Sequence, residues 1–589
     1  MLVLTLLFLA AVGLRRSWDL RGYTGEALGM LTGRQRAYGY AHVERFLTQV
    51  AASGGAEVLT NALGKWTAQL WHSVDEGCTE ISPRFYVDGH RKPVYTDKLI
   101  PRGLIGRSGK ILGCRASTLL HDEQGHPLLA TTDRGDQHLT MGLPRILTRY
   151  EASGGRIARA RIIVDREGMA APFLRDLQAS GYTVITLLRT DQYAGLDSFT
   201  NVREFVPLEY DQQGQVVREV ASACFALPLP DQTGQVLPLR VGLIRDWRRQ
   251  VVRPLSREEE EDAEARAWQK PAWWHPEWKA EPTPATPTTA KLIPIVTTAD
   301  TVDAVELAQT YIRRWPVQEN ILRDWLLPLG LDTNHGYAKT PIVNSEVAKK
   351  RAALEKRLSN VKQWAASAWD RSHRASVLYD RLWKQTKAYG DDLYRKLNAH
   401  QDALAAQGVD YYQRRAQIKA EKATIDTELE ERWQRVRRTY AKSCKESEKC
   451  KRYAHEQCDL LRALEDLAAN ERTMYELDHR KDQVMTVCKL ALANLVMWTR
   501  DRYFPASYAH ATWRRLAPFF QLPGMIVSSQ QTVSVELRPF NDRQLNQDLV
   551  YLCEQVNKAS PRLPDGRRLL FVVRSMCRPI LDQQQRRVA

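Results

Sequence analysis

The chain has 589 residues, of which 85 are lysine or arginine and 69 are aspartate or glutamate, so its formal net charge is +16. Hydrophobic residues make up 43% of the sequence, which excludes a disordered or fibrous protein and allows several domains. The basic excess predicts a polyanionic partner. Nucleic acid is favoured over an acidic membrane surface because no basic helix carries an uninterrupted apolar face.

The chain starts with an apolar run, Leu2 to Leu14. No positive charge precedes the run and Arg15-Arg16 follows it, which favours a buried first helix over a targeting segment. The run is too short to span a bilayer, so we expect no membrane partner. Nine scattered cysteines, an odd number, exclude a disulfide framework and indicate a reducing cytosol. We therefore expect a cytoplasmic, nucleoid-associated protein.

Residues 1–80 are predicted to be helical, with two amphipathic segments separated by Gly54-Gly55. Arg34, Arg36 and Arg45 lie outside these apolar faces. The segment is interpreted either as a DNA-binding helical domain or as a helical pair that packs on the next domain.

Residues 81–190 alternate between apolar strands and amphipathic helices, in the order strand, strand, strand, helix, strand, helix, strand. This order predicts a mixed α/β sheet. Residues 191–290 read as a β-rich insertion that closes with an acidic run and a proline- and tryptophan-rich linker. The core is expected to resume at 291–344 with a strand and a helix.

Residues 345–480 contain many charged residues, alanine and leucine, with Gly408 near the middle, which predicts a long basic helical hairpin. Two antiparallel helices of about 60 residues would form an arm of roughly 90 Å. The stretch from 431 to 452 contains nine lysines or arginines and three glutamates. It is interpreted either as a solvated surface of the helix or as a DNA contact. Residues 481–589 are predicted to be a mixed α/β region.

Two motifs for other ligands are disfavoured. Cys444, Cys450, His455 and Cys458 lack a Cys-x-x-Cys pair and fall in a continuous helix, which argues against structural zinc. The sequence "GRSGKILG" (106–113) lacks phosphate-loop spacing and predicts a hairpin turn. No nucleotide-binding motif is present, so we expect no nucleotide cofactor.

Two aspartates occupy equivalent places: Asp88 in "YVDGH" and Asp165 in "IIVDREG" each follow a short apolar strand. In open α/β sheets, functional groups gather at the carboxyl ends of the strands. If these strands are parallel neighbours, the two carboxylates come close together and favour a cation between them, and hard oxygen ligands suit Mg²⁺ or Mn²⁺. An aspartate at the end of a strand is, taken singly, often only a turn former.

The stretch "YIRRWPVQEN" (311–320) supplies a third carboxylate, Glu319, which would complete a two-metal site. Pro316 is expected to begin a new helical turn that directs Glu319 back towards the aspartates. Glu306, earlier in the same helical pattern, is the rival for this place.

The order of these motifs, with a β-rich insertion before the glutamate helix, resembles the catalytic core of the IS4-type DDE transposases over residues 80–330. The resemblance implies an RNase H-like mixed sheet core with a β-rich insertion, flanked here by the N-terminal helical domain and the long hairpin arm. It implies that Asp88, Asp165 and Glu319 are the catalytic, metal-binding triad for two Mg²⁺ or Mn²⁺ ions. It further implies that Tyr311 and Arg314 contact DNA phosphate.

The resemblance thus implies a transposase that cuts and joins double-stranded DNA, both element ends and target, by cut-and-paste transposition as a homodimer. There are two departures. Four residues separate Arg314 from Glu319 where the family usually has three, and Leu326 stands where the family often has a lysine, for which Arg323 is the substitute. A nuclease of the same class that does not join strands, or a non-catalytic DNA-binding derivative, is the alternative.

Overall fold

The computed structural model describes residues 2–22, 36, 38–72, 83–106, 108–230, 234–252, 288–469 and 471–574. Two compact units are present: one comprises Met1–Thr340 and Tyr475–Ala589, and the other Pro341–Met474. The prediction of a mixed α/β chain is confirmed. The acidic run and the linker expected between 253 and 287, like Arg34, lie outside the described residues.

A ten-stranded mixed sheet forms the centre of the first unit, in the order β2-β3-β1-β5-β6-β10-β9-β8-β7, with β4 paired to β3. Its strands, in chain order, are β1 (Arg84–Pro93), β2 (Arg102–Ile105), β3 (Lys110–Asp122), β4 (Pro127–Arg134), β5 (Arg161–Val164), β6 (Thr183–Leu187), β7 (Val206–Tyr210), β8 (Val216–Pro228), β9 (Val236–Val252) and β10 (Thr288–Thr297). The strand β2 was not expected from the sequence. It pairs with the start of β3 through the hairpin predicted at 106–113.

The strands β1 and β5 are parallel neighbours, with Arg84 opposite Arg161 and Val87 opposite Val164. Residues 162–164 of β5 are buried, as their continuous apolar run predicts, and residues 85–87 of β1 are buried as well. On the other side of β5, β6 continues the parallel part of the sheet, whereas β3 is antiparallel to β1.

The β-rich insertion does not form a separate sheet. Its strands β7, β8 and β9 are joined to the core through β10, which pairs with β6 along one edge and with β9 along the other. The sequence could not show this because strand edges carry no local signal of their partner.

Helices cover both faces of the sheet. The helices of the first unit are α1 (Leu2–Ala11), α2 (Tyr40–Ala52), α3 (Gly55–Trp71), α4 (Leu139–Ala152), α5 (Ala171–Ala179), α6 (Ala304–Ile312), α9 (Arg480–Tyr503), α10 (Trp513–Phe520) and α11 (Arg543–Lys558). On one face, α6 packs its apolar side on Tyr86, Ile163 and Ile295. On the opposite face, α4 and α9 contribute to a larger core with Phe85 and Val164.

The N-terminal helices pack on this core. The Thr67 hydroxyl in α3 donates to the Leu128 carbonyl in β4, and the Trp71 indole donates to the Asn494 amide oxygen in α9. Leu6 and Leu9 of α1 are fully buried. The described part of residues 1–80 therefore belongs to the same compact unit as the sheet.

The second unit is a helical hairpin of α7 (Ser345–Ala406) and α8 (Tyr411–Ala469), which turn at Gly408 with φ +72°. The remaining strands form two small sheets, one of β11 (Lys339–Ile342) and β12 (Met474–Leu477), the other of β13 (Gly524–Ser528), β14 (Thr532–Leu537) and β15 (Arg568–Val573). Among the described residues, no helix combines the length and apolar character that a membrane crossing requires.

Candidate active site

The parallel register of β1 and β5 places Asp88 beside Asp165. Each aspartate is the next residue after the last paired positions, Val87 and Val164, and neighbouring strands lie about 4.8 Å apart. The Asp88 Oδ1 accepts a hydrogen bond from the Gly89 amide at 2.9 Å, and the Asp165 Oδ1 accepts one from the Arg166 amide at 2.7 Å. Asp165 lies at the end of β5 and caps the short 3-10 turn that follows. The strand β1 continues through Asp88 to Pro93, with Asp88 opposite Leu119 of β3, so the expectation that Asp88 ends its strand is wrong.

The side chain of Asp88 is half-buried beside other carboxylates. Its pKa is raised from 3.8 to about 7, first by burial and further by the carboxylates of Glu319 and Asp165, against the lowering effect of Arg314. Arg314, which contacts Glu319 and lies 3.9 Å from Asp165, connects these two carboxylates, and the register of β1 and β5 places Asp88 beside Asp165.

The helix that carries Glu319 is not restarted at Pro316, so the expected new turn is wrong in this respect. The helix α6 is capped by Asp303, whose carboxylate accepts from the Val305 and Glu306 amides, and it leads into a π-helical segment, Trp315–Glu319. The Asn320 amide donates to the Trp315 carbonyl, five residues back. Since a π turn holds one residue more than an α turn, this segment absorbs the extra residue between Arg314 and Glu319.

A glycine in the β3–β4 turn lies close to the π-helical segment. Gly125 has φ +95°, and a Cβ at this position would lie 3.0 Å from the Val317 carbonyl oxygen and 3.1 Å from the Ile321 side chain. A larger residue would strain the turn and displace the segment that carries Glu319. The turn and the widened helix are therefore matched to each other.

Arg314 lies between the carboxylates. Its Nη2 donates to Glu319 Oε1 at 2.9 Å, while its Nη1 is 3.9 Å from Asp165 Oδ1. The side chain is only 12% exposed, and Nη1 has no hydrogen-bond partner among the described residues. The guanidinium thus balances part of the negative charge and keeps one donor free.

Tyr311 lies one turn before Arg314, with the Arg314 guanidinium carbon 5.8 Å from the centre of its ring. Burial raises the pKa of the Tyr311 phenol well above its ordinary value, Arg314 opposes the rise, and Asp165 and Asp88 add to it. The phenol therefore stays protonated and can donate a hydrogen bond next to the carboxylates.

The rival carboxylate, Glu306, is bound elsewhere. Its Oε1 accepts from Arg84 at 2.9 Å and from Arg161 at 2.6 Å, and these arginines are the first residues of β1 and β5. They precede Asp88 and Asp165 by four residues each, or about 13 Å of strand. Glu306 thus neutralises the opposite ends of the two strands, and Glu319 is the glutamate at the aspartate end.

No contact among the described residues brings Arg323 to the edge where Asp88 and Asp165 lie. Arg323 forms an ion pair with Asp324 at 2.7 Å, and its side chain is 62% exposed. A second π-helical segment, Leu322–Leu326, follows the first. In a regular α-helix Arg323 would lie on the same face as Glu319. The π-helical segment changes this spacing, so the expectation from the sequence does not hold.

The carboxylate oxygens of Asp88, Asp165 and Glu319 are chemically suitable ligands for a divalent cation, because Mg²⁺ and Mn²⁺ prefer carboxylate oxygens. Within the described ranges, however, no three histidine, cysteine, aspartate or glutamate side chains are placed to hold a metal ion together. The Glu319 carboxylate is engaged with Arg314. Asp88 and Asp165 therefore fit as ligands, and Glu319 would join them only after this ion pair opens.

A buried ionic cluster supports the same strand and was not predicted. Lys92 of β1 and Arg115 of β3 contact the Asp482 carboxylate of α9, and all three side chains are at most 1% exposed. Burial alone would raise the pKa of Asp482, but Lys92 and Arg115 lower it well below its usual range. The sequence pattern did not indicate this cluster, because Lys92 and Asp482 are about 390 residues apart.

Comparison with known proteins adds nothing to these observations. No protein-family model matches the chain, and no curated protein matches it significantly. The functional assignment therefore depends on the residues and their geometry.

Proposed function

We propose that this chain is a DDE transposase with an RNase H-like core, which cleaves DNA strands at the ends of a mobile element and joins them to target DNA. The observation that carries the proposal is the meeting of Asp88, Asp165 and Glu319 at one edge of the sheet, with Arg314 between them. The element order supports it: a first aspartate strand, a second aspartate strand, three added strands and then the glutamate helix.

The three carboxylates would hold Mg²⁺ or Mn²⁺, two ions per site. When bound, such ions lower the pKa of an attacking water or 3′-hydroxyl and stabilise the leaving oxygen of the phosphodiester. The protein's own contribution is positional. Asp88 and Asp165 are fixed by adjacent parallel strands and by hydrogen bonds from the amide of the next residue, whereas Glu319 is positioned by the π-helical segment.

Arg314 and Tyr311 would bind the DNA phosphate. The free Nη1 donor of Arg314 suits a phosphate oxygen, since guanidinium–phosphate bonds are charge-assisted. When Arg314 turns to DNA, its ion pair with Glu319 opens and the glutamate becomes available to the cation. Arg323, paired with Asp324, has no part in this proposal. The proposed partners are double-stranded element ends and target, held by two protomers.

The test uses the purified full chain, Mg²⁺ and a duplex that carries the flanks of its own gene. We expect 3′-strand cleavage followed by joining. Asp165→Asn and Glu319→Gln should each lower cleavage at least about 100-fold while duplex binding stays within about threefold. Glu306→Gln is the matched control and should retain cleavage, because Glu306 serves the other end of the strands.

The outcomes separate the alternatives. Cleavage without joining would assign the chain to the nucleases of the same class. Binding without any metal-dependent cleavage would indicate a non-catalytic derivative. Full activity of Asp165→Asn, or loss of activity in Glu306→Gln with retention in Glu319→Gln, would overturn the assignment of the three carboxylates.

A further inference from the structure

A row of basic side chains runs along α8, the second helix of the hairpin. Its members recur at alternating spacings of three and four residues, which places them on one side of the helix: Arg435, Arg438, Lys442, Lys445, Lys449 and Arg452. The row covers about 26 Å of helix. Glu431 and Glu456 continue the same spacing and mark its two ends.

The row lies beside the seam of the hairpin. The residues that follow its members by one position face α7: Val436 is 3% exposed, Ser443 exchanges hydrogen bonds with Ser372, and Cys450 lies 4.0 Å from the Ala365 carbonyl. Each residue turns an α-helix by about 100°, so the row lies to the side of the contact with α7 and not in it. All its members are exposed except Lys449, which is half-buried.

The charges of the row are mostly uncompensated. Lys449 pairs with Glu446 at 2.6 Å, and no other member forms an ion pair with the residues that the structure describes. Other arginines of the same helix are paired, Arg432 with Glu428 at 3.8 Å and Arg437 with Glu430.

Like charges three or four residues apart destabilise a helix by about 0.2–0.5 kcal/mol per pair. The row contains five such neighbouring pairs of like charge, and glutamates at the same spacings, among them Glu446 and Glu448, offset their repulsion. An anionic partner would lower the repulsion within the row further. A solvated face of alternating charges would not need such a partner.

We propose that this row binds the phosphate backbone of double-stranded DNA. A straight row of about 26 Å matches an extended, rigid polyanion, since about seven to eight base pairs of B-DNA cover this length. The tyrosines of this stretch, Tyr440 and Tyr453, contact the rings of Tyr379 and Trp364 in α7. This argues against single strands, because single-strand binding sites stack bases on aromatic rings. A lipid surface fits poorly because the apolar side of α8 is covered by α7.

The inference rests on the proposed function, because that function makes DNA the substrate. It assigns a DNA-binding surface that is separate from Asp88, Asp165 and Glu319. It also changes which positions matter. The sequence indicated the whole stretch from 431 to 452, whereas the structure separates the row from Arg432, Arg437 and Lys451, which lie at other angles around the helix.

The experiment measures binding of a labelled duplex of about 30 base pairs by fluorescence anisotropy, with the full chain in EDTA so that cleavage is excluded. The row variant is Arg438→Glu, Lys442→Glu and Lys445→Glu. The matched control is Arg432→Glu, Arg437→Glu and Lys451→Glu, which has the same net charge. Glutamate is as good a helix former as lysine and arginine, so both arms should fold, which circular dichroism checks.

We expect the row variant to bind at least about tenfold more weakly at 100 mM salt. The slope of log affinity against log salt should fall by about 2–3, because each lost phosphate contact removes about 0.9 from the slope. The control should lose less than about threefold. An unchanged slope in the row variant, or equal losses in both variants, would overturn the inference.

Three further outcomes separate this inference from the proposed function. If the wild type cleaves and joins DNA but the row variant binds duplex normally, only the role of the row is refuted. If the row variant loses binding to a single-stranded oligonucleotide or to phosphatidylserine vesicles while duplex binding is kept, the partner assigned here is wrong. If the wild type does not bind duplex at all, both proposals fall.

Discussion

Replacing Asp88 by asparagine is expected to stabilise the protein at neutral pH and to have little effect in acid. Burial, with added repulsion from Glu319 and Asp165 and against the attraction of Arg314, raises the pKa of Asp88 from 3.8 to about 7. At about 1.4 kcal/mol per pKa unit, the ionised carboxylate costs the folded state up to about 4 kcal/mol. Asparagine avoids this cost and can still accept the Gly89 amide.

The direction of the pH dependence follows from the two protonation states. Below about pH 4, Asp88 is protonated in both the folded and the unfolded chain, so it costs nothing. Between about pH 4 and 7 only the unfolded chain ionises fully, and the stability of the wild type falls as the pH rises. Above pH 7 the whole cost is present. The advantage of the variant should therefore grow from nearly zero near pH 4 to its maximum near pH 8.

The assay is the apparent Tm in EDTA, because a chain of this size does not unfold in one step. The unfolding entropy is about 2.1 cal/mol/K per residue, so the Tm of the unit that contains the sheet changes by about 1 °C for each kcal/mol of stability. The variant should therefore melt up to about 4 °C higher than the wild type at pH 8. Asp191→Asn, at an exposed aspartate, is the control. A difference that is equal at pH 4 and pH 8, or a variant that melts lower at pH 8, would refute the reasoning.

The same two proteins test cation binding without any activity. A ligand that binds only the folded state raises the Tm. Millimolar Mg²⁺ is therefore expected to raise the Tm of the wild type at pH 8 more than that of Asp88→Asn. An equal rise in both proteins would place the cation away from Asp88.

Three further predictions follow from the contacts around the site. Arg314→Ala should weaken duplex binding at least about tenfold in an anisotropy titration, because a hydrogen bond to a charged group is worth about 1.5–3 kcal/mol; binding equal to wild type would exclude a phosphate contact. Glu306→Gln should lower stability by about 1 kcal/mol or less, as measured by the Tm, because its arginine partners are partly exposed. Asp482→Asn should lower stability by about 3–5 kcal/mol, since it leaves Lys92 and Arg115 buried without their counter-charge. An unchanged Tm in that variant, relative to Asp191→Asn, would show that the cluster is not a stabilising ion network.

Much of the candidate site was accessible from local sequence. Short apolar runs before the two aspartates identified residues 85–87 of β1 and residues 162–164 of β5, because a buried strand segment is a hydrophobic run with a polar residue beside it; that β1 continues to Pro93 was not predicted. Helical spacing located α6, and composition together with Gly408 located both helices of the hairpin. These features depend on residues close in sequence.

The sequence by itself therefore determined the mixed α/β class, the apolar strand segments that precede Asp88 and Asp165, and the basic character of the hairpin. Only the tertiary structure shows where the two glutamates lie, because both fit the same helical pattern. Glu306 binds Arg84 and Arg161 at the start of β1 and β5, whereas Glu319 binds Arg314, which lies near Asp165. The tertiary structure also decided that the turn around Pro316 is π-helical, since an i→i+5 turn leaves no trace in a 3.6-residue period. The pairing of Lys92 with Asp482 could not be predicted for the same physical reason: attraction between charges about 390 residues apart depends on packing, which no local pattern specifies.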